Sequence, residues 1–161
     1  MAMEEKKTLK VLKERFQDKI IETSAHFGDD TLLIEKDSFL EIMTFLKGKP
    51  WEYNMLLDLT CVDFLGQEPR FEMVYHLLSL PKNHRLRLKV RLSEKDPAID
   101  SLTSMWENAN WLEREAYDMF GIHFKGHPDL RRIFMYDGFE GHPLRKDYPL
   151  RKRQPRIPLS K

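Results

Sequence analysis

The histidines and acids in the C-terminal part of the chain are the residues whose types and spacing could bind a metal ion. Imidazole and carboxylate groups together suit zinc or iron. His123 and His127 are four positions apart, which would align them on a helix, but the neighbouring Gly126 and Pro128 disfavour a helix there. The sequence therefore disfavours a metal site, and we expect His127 and His142 to form loop hydrogen bonds. The full candidate set is His123, His127, His142, Asp129, Asp137 and Asp147.

Other catalytic and cofactor chemistry has little support in the sequence. Cys61 is the single cysteine, so the chain cannot form an internal disulfide or supply the four or so thiolates of an iron–sulfur cluster. Glycine-rich nucleotide loops and a Gly-x-Ser-x-Gly nucleophile are missing. Tyr117 and Asp118 are neighbours on a predicted helix and point about 100° apart, so we expect one packed and one exposed side chain. We predict no catalytic, cofactor-binding or metal-binding residue in this chain.

The charged residues that remain lie on a predicted helix over residues 111–121. Leu112, Ala116, Met119 and Phe120 follow the spacing of an amphipathic helix. We expect a side-chain cap from Asn108 or Asn110 and an end at Gly121. The polar residues of this helix are Glu113, Arg114, Glu115 and Asp118.

These charges allow two interpretations. Arg114 and Asp118 are one turn apart and can pair, although such a pair adds only about 0.3–0.5 kcal/mol. A solvated face is the ordinary interpretation of such charges. The alternative is that Glu113, Arg114 and Asp118 order the long segment that follows.

That segment is rich in glycine, proline and cations, and loops of this length are uncommon unless they bind something. Residues 111–161 carry 11 Lys or Arg against 7 Asp or Glu. The end of the chain is either a solvated basic terminus or a strap laid on phosphate, lipid headgroups or an acidic protein. The cations are Arg131, Arg132, Arg145, Lys146, Arg151, Lys152, Arg153 and Arg156.

Upstream, hydrophobic spacing predicts a helix over residues 5–18, a strand over 31–35 and a second helix that is capped by the side chain of Asp37 or Ser38 and ends at Gly48. Residues 53–64 are strand-like. Alternation over 71–77 and 86–92 predicts an antiparallel hairpin. The cations at 85, 87, 89 and 91 must share one face of it, which we expect to be solvated, with a partner or nucleic-acid contact as the alternative.

Together these patterns predict an α+β fold, an antiparallel sheet with flanking helices and an extended, mostly irregular basic C-terminal arm. We assign residues 1–121 to the domain and 122–161 to the arm. No run of about 18 apolar residues is present and the N-terminus lacks a secretory signal, so we expect a cytoplasmic protein without membrane spans.

The chain also resembles a known family, the thirty-kilodalton subunit (the C-subunit) of proton-pumping NADH:quinone oxidoreductase, respiratory complex I. The resemblance is carried by a dense set of motifs and extends more loosely through residues 50–110. The motifs are Glu113-Arg114-Glu115, Tyr117-Asp118-Met119-Phe120-Gly121-Ile122, Gly126-His127-Pro128, Leu130-Arg131-Arg132-Ile133, Gly141-His142-Pro143 and Arg145-Lys146-Asp147-Tyr148-Pro149.

The resemblance implies a non-redox subunit of the peripheral arm, at the cytoplasmic side of the inner membrane. It implies that the partners are chiefly the forty-nine-kilodalton quinone-site protein (the D-subunit) and the adjacent cluster-bearing protein (the B-subunit). Iron–sulfur clusters, FMN, NADH and quinone would then belong to partner subunits. The interface residues it implies are Glu113, Arg114, Asp118, His127, Arg131, Arg132, His142, Arg145, Lys146 and Asp147.

Two alternatives stay open at this point. The first is the equivalent subunit of a membrane hydrogenase or of another quinone-linked oxidoreductase. The second is a nucleic-acid-binding module, suggested by the cationic strand and tail, which would need exposed stacking aromatics that the predicted sheet lacks.

Overall fold

The structure, a computed structural model, describes residues 2–151 and 153–155, with side chains described for all of these except 2–7 and 26. Five strands form the main sheet in the order β1-β2-β5-β4-β3, and two short strands, β6 and β7, form a second parallel sheet. The helices are α1 (Ala2–Arg15), α2 (Phe39–Lys47) and α3 (Ala109–Phe120). The strands are β1 (Ile20–His26), β2 (Asp29–Ile34), β3 (Met55–Asp63), β4 (Phe71–Ser79), β5 (His84–Leu92), β6 (Ala98–Asp100) and β7 (His123–Lys125).

The predicted hairpin is confirmed. Strands β4 and β5 pair antiparallel from Phe71 opposite Leu92 to Ser79 opposite His84. The sheet as a whole is mixed, because β2 pairs with β5 in parallel. Strand β1 was not predicted, and a register irregularity lies at its start between Ile20 and Glu22. The predicted α+β class is confirmed, with a mixed sheet in place of an antiparallel one.

One face of the sheet and the inner faces of the helices form a single hydrophobic core. Helix α2 contributes four buried side chains at helical spacing, and alternate residues of β4 and β5 meet them. On the opposite face, the cations of β5 lie together as predicted, with Arg85 and Arg91 exposed and Arg87 and Lys89 half-buried. The α2 residues in the core are Phe39, Ile42, Met43 and Leu46.

The predicted side-chain caps are wrong. Asn108 precedes α3, but its side-chain amide donates to the carbonyl of Leu56 on β3, 2.8 Å away, while Asn110 lies inside the helix. Ser38 precedes α2 and its hydroxyl donates instead to the carbonyl of Glu35. These side chains satisfy nearby carbonyls in place of the first free N–H groups of their helices. The predicted end of α3 at Gly121 is confirmed, with a left-handed φ of 76°.

The arm leaves the domain after β7. Its described residues, 126–151 and 153–155, contain no helix or strand. Ile122 and Phe124 are buried in the core, so the arm becomes irregular only beyond them. Lys152 and Arg156 of the predicted basic tail lie outside the described residues. In the part of the chain that the structure describes, no helix is long and apolar enough to cross a membrane.

Candidate functional site

Glu113 is fully buried on α3 and orders the loop before the helix. Its carboxylate accepts a hydrogen bond from the backbone N–H of Leu102 at 2.6 Å and another from the hydroxyl of Ser101 at 2.7 Å. Burial raises the pKa of Glu113 to about 7, and the two hydrogen bonds oppose that shift. Glu113 is therefore a packed group that fixes loop geometry, and the solvated interpretation does not apply to it.

Arg114 reaches the arm. Its Nε donates to the carbonyl of Arg131 at 3.1 Å, and its Nη2 donates to the carbonyl of Arg132 at 3.3 Å. The guanidinium carbon lies 5.2 Å from the centroid of the Trp111 ring. The pairing of Arg114 with Asp118 that the helix spacing allows is not formed, because each side chain bonds to the arm instead.

Asp118, also fully buried, holds the next part of the arm. Its Oδ1 accepts from Nη1 of Arg132 at 2.6 Å. Its Oδ2 accepts hydrogen bonds from three successive backbone N–H groups. Tyr117 is half-buried, so the expectation that one side chain of the Tyr117 and Asp118 pair is exposed is wrong. Burial raises the pKa of Asp118, but these donors outweigh it and hold the pKa below its usual value. The three N–H groups belong to Ile133 at 3.1 Å, Phe134 at 2.8 Å and Met135 at 2.9 Å.

The arm then returns and covers the C-terminal end of α3. A helix leaves its last four carbonyls without helical partners. Here Gly121 N–H donates to the first of them at 2.8 Å, and the arm supplies donors for the rest. His142 Nδ1 donates to Asp118 at 3.0 Å, Leu144 N–H to Met119 at 3.1 Å and Arg145 Nε to Phe120 at 2.5 Å.

Gly121 permits this close approach. A Cβ built on it would lie 2.6 Å from Nε2 of His142 and 2.7 Å from Nη2 of Arg145. Both side chains are held by carbonyls of the helix end, so they cannot move aside without breaking those bonds. Glycine is needed here for its positive φ and for the space that the arm fills.

A second attachment joins the arm to the sheet through Arg70, which the sequence patterns did not single out as a site residue. Arg70 precedes β4, is 2% exposed and binds Asp63 and Asp147. Asp63 also accepts from the backbone N–H of Lys146 at 2.8 Å. The sequence signal that could have identified Arg70 is an arginine next to a buried strand, since a buried charge needs a partner.

The histidine hydrogen bonds predicted for the loops are confirmed. His127 accepts at Nδ1 from the N–H of Asp129 at 3.0 Å, so its Nε2 donates to the carbonyl of Asn110 at 3.2 Å. No group of three or more His, Cys, Asp or Glu side chains that could hold one ion occurs among the described residues.

The outer surface of α3 and the arm differs in character from these interior contacts. Arg131 and Lys146 are exposed, and Arg131 pairs with the exposed Asp129, at 2.9 Å. Four large apolar side chains are also exposed among the described residues of this part of the chain. They are Trp111 (61%), Phe134 (60%), Leu144 (53%) and Leu150 (97%).

The fold and these contacts define an α+β protein whose cationic arm is folded back on one amphipathic helix by buried charges. The chain belongs to the family described as the 30 kDa subunit of respiratory-chain NADH dehydrogenase, which matches residues 32–154. The resemblance carried by the sequence motifs is thereby confirmed.

Relatives and solved structures agree with this membership. The chain is 52% identical over 139 residues to the NADH-quinone oxidoreductase C-subunit of Citrifermentans bemidjiense, covering 86% of each chain. It is 49% identical over 140 residues to the same protein of Geobacter sulfurreducens, again covering 86% of each.

Among solved structures, a trypsin-resistant fragment of Nqo5 (residues 1–134) matches with a TM-score of 0.67 and 34% identity, over 81% of this chain and 100% of the fragment. A chain of the archaeal membrane-bound sulfane sulfur reductase matches with a TM-score of 0.71 at 21% identity, over 89% of this chain and 86% of that one. The second likeness is one of fold alone.

Proposed function

We propose that this chain is the thirty-kilodalton subunit of a proton-pumping NADH:quinone oxidoreductase and that its role there is non-redox. In this role it lies in the peripheral arm, on the cytoplasmic side of the membrane. It supports the forty-nine-kilodalton quinone-site protein and the adjacent cluster-bearing protein, which with other partners hold the iron–sulfur clusters, FMN, NADH and quinone. Family membership and relatives that carry the name of this subunit support the assignment.

The observation that carries the proposal is the separation of charges into interior and exterior sets. Among the residues of the family motifs, Glu113, Arg114 and Asp118 form hydrogen bonds within the chain. The exposed surface of α3 and the arm carries aromatic, leucine and cationic side chains beside acids such as Glu115 and Asp129. Exposed aromatic and leucine groups surrounded by charges have the composition of an interface core with a polar rim. An iron–sulfur cluster held by this chain alone would need about four cysteines, and the chain has one.

The interface residues implied by the resemblance therefore divide into two groups. Arg132, Arg145 and Asp147 already bind groups within this chain, so they act on a partner through the shape of the arm. Arg131 and Lys146 are exposed and can meet acidic groups of the quinone-site protein. Direct contact is assigned to these two cations and to the exposed apolar side chains around them.

The experiment is a complementation assay in cells that lack their own copy of this subunit. Leu144→Ser and Trp111→Ser remove apolar contacts at the surface. We expect loss of assembled complex on a native gel and loss of NADH:quinone activity in membranes. The matched control is Leu80→Ser, since Leu80 is 57% exposed, close to the 53% of Leu144, and lies in the turn between β4 and β5. Assembly that is equal in all three variants would contradict the proposal.

A related membrane hydrogenase or another quinone-linked oxidoreductase is the second candidate, because the fold also occurs in the sulfane sulfur reductase complex. The two candidates differ in electron donor. Co-purification of the tagged chain with NADH-oxidising proteins from native membranes supports the first, and co-purification with a hydrogenase or a sulfur-reducing module supports the second.

Nucleic-acid binding has less support from the cationic face of β5. Lys89 and Arg91 lie 2.8 Å and 3.4 Å from carboxylate oxygens of Glu72, so part of that charge is balanced within the sheet. Steeply salt-dependent retention of DNA or RNA by the purified chain would favour this function instead.

A further inference from the structure

Arg70 uses its whole hydrogen-bonding capacity on carboxylates from three separate parts of the chain. A guanidinium has five N–H donors. Nε and Nη2 donate to Asp63 at 2.9 Å each, and Nη2 and Nη1 donate to Asp147 at 2.7 Å and 3.1 Å. The remaining N–H of Nη1 donates to Glu94 at 2.5 Å. We call this group of four residues the Arg70 clamp.

The clamp joins the arm to the sheet, through groups other than the carbonyls at the end of α3. Asp63 ends β3 and Glu94 follows β5, whereas Asp147 lies 77 positions beyond Arg70, in the arm. Within the clamp, Asp63 also accepts the N–H of Lys146. The arm is thereby fixed at two places, the helix end and the sheet.

The arm supplies the carboxylate that binds the Nη1 and Nη2 edge of the Arg70 guanidinium. Arg70 is 2% exposed, and its guanidinium carbon lies 5.0 Å from the ring centroid of Phe71. The guanidinium carbon of Arg145, from the arm, lies 5.1 Å from the same ring. Asp63 satisfies only one edge of the guanidinium, so without Asp147 the other edge would lose its bidentate partner.

We propose that Arg70 is a positioning residue that holds the arm in its docking conformation before any partner is bound. This inference rests on the proposed function, since it concerns the surface by which the chain assembles with its partners. An arm already ordered loses less conformational entropy when it meets the quinone-site protein, so association is stronger for the same contacts. Arg70 itself is 2% exposed, so it acts on association through the arm.

Hydrogen–deuterium exchange on the full isolated chain tests the clamp. The informative amides are those of Leu144, Lys146 and Tyr148, which donate to Met119 on α3, to Asp63 on β3 and to Arg145 in the arm. In the unchanged protein we expect them to exchange slowly, and in Asp147→Ala to exchange faster by about tenfold or more, with β4 and β5 unchanged. Arg70→Lys keeps the positive charge but loses the planar guanidinium that binds several carboxylates at once, so it should also speed exchange at the three amides.

The matched control is Asp129→Ala, which removes the acid of the exposed Arg131–Asp129 pair in the same arm. It should leave exchange at the three amides unchanged. Arm amides that exchange at the rate of an unfolded chain in the unchanged protein would overturn the clamp. An equal response of Asp147→Ala and Asp129→Ala would also overturn it.

A second measurement separates the clamp from the proposed function. At limiting expression in cells lacking their own copy of this subunit, Asp147→Ala should incorporate into the complex several-fold less than Asp137→Ala, which removes an exposed acid elsewhere in the arm. Faster exchange with full incorporation would overturn the role in docking. If even the unchanged chain failed to join the complex, the proposed function would fall, whereas the exchange result would still report on the clamp.

Discussion

Oδ1 of Asp118 lies 2.6 Å from Nη1 of Arg132, fourteen positions further along the chain. Asp118 is in the last turn of α3, where the helix dipole disfavours negative charge by roughly 0.3–1 kcal/mol. The helix alone therefore gives no reason for an acid at this position. The reason lies in the arm, because the same carboxylate accepts hydrogen bonds from Arg132 and from the backbone N–H groups of the next three residues.

Removing the charge of Asp118 should destabilise the protein strongly. Asp118→Asn leaves Arg132 without its carboxylate and turns the amide hydrogens toward either Arg132 or the three backbone donors, so we expect a loss of about 3 kcal/mol in the free energy of unfolding. Urea denaturation measures it. Glu115→Gln, on the exposed side of the same helix, should change the value by less than about 0.5 kcal/mol. Equal effects of the two substitutions would contradict a buried anchoring role for Asp118.

Two glycine substitutions separate the packing of the arm against Gly121 from the cost of backbone strain. Gly121→Ala and Gly126→Ala both place a side chain at positive φ, 76° and 80°, but only the first meets other atoms within 4 Å. The strain alone should cost about 1–2 kcal/mol in each. Displacement of His142 and Arg145 should add about 1–3 kcal/mol in Gly121→Ala, again by urea denaturation. If both variants lost the same stability, the arm would not be packed against Gly121.

Glu113 should make stability depend on pH near neutrality. Its pKa is about 7 in the folded chain against an ordinary value of 4.5, so the folded state binds the extra proton between these two pH values. Stability from this group is present below pH 4.5 and is lost as pH rises to 7, by roughly 3 kcal/mol at most.

The substitution Glu113→Gln keeps the shape and can still accept from Leu102, so it should remove this dependence. The measurement is the difference in unfolding free energy between the variant and the unchanged protein at pH 5, 6, 7 and 8. The difference should shift in favour of Gln as pH rises. Glu115→Gln serves as the control, and a flat difference for Glu113→Gln would show that Glu113 is not held in a protonated form.

The thiol of Cys61 should not react with thiol reagents in the folded protein. It is buried, and burial raises the pKa of its thiol to about 12, with the charge of Asp63 adding to the shift. Because the thiolate is the reactive form, a disulfide reagent should modify Cys61 only after denaturation. Absorbance of the released thiol measures this, and stoichiometric labelling without denaturant would contradict the buried position.

The elements that could be predicted from the sequence are those with strong local patterns. Alternation in residues 71–92 predicted the β4–β5 hairpin, and helical spacing together with Gly121 predicted the extent and end of α3. Strand β1 was missed because little of it is buried, so its sequence has no clear apolar period. The parallel contact between β2 and β5 was missed because pairing of distant strands is a property of the whole sheet.

For the site, residue types located the important segment, while the tertiary structure decided what each charge does. The motifs from Glu113 to Pro149 identified the family, because glycines, prolines and charges at fixed spacing are visible in one dimension. The bond partners were not visible there. Arg114 and Asp118 have the spacing to pair along the helix, yet a buried carbonyl or N–H group left without a partner costs more than an exposed ion pair gains. The sequence by itself thus determined the family and the segment, and only the folded chain, by deciding which groups lose contact with water, assigned Asp118 to Arg132 and Arg70 to Asp147.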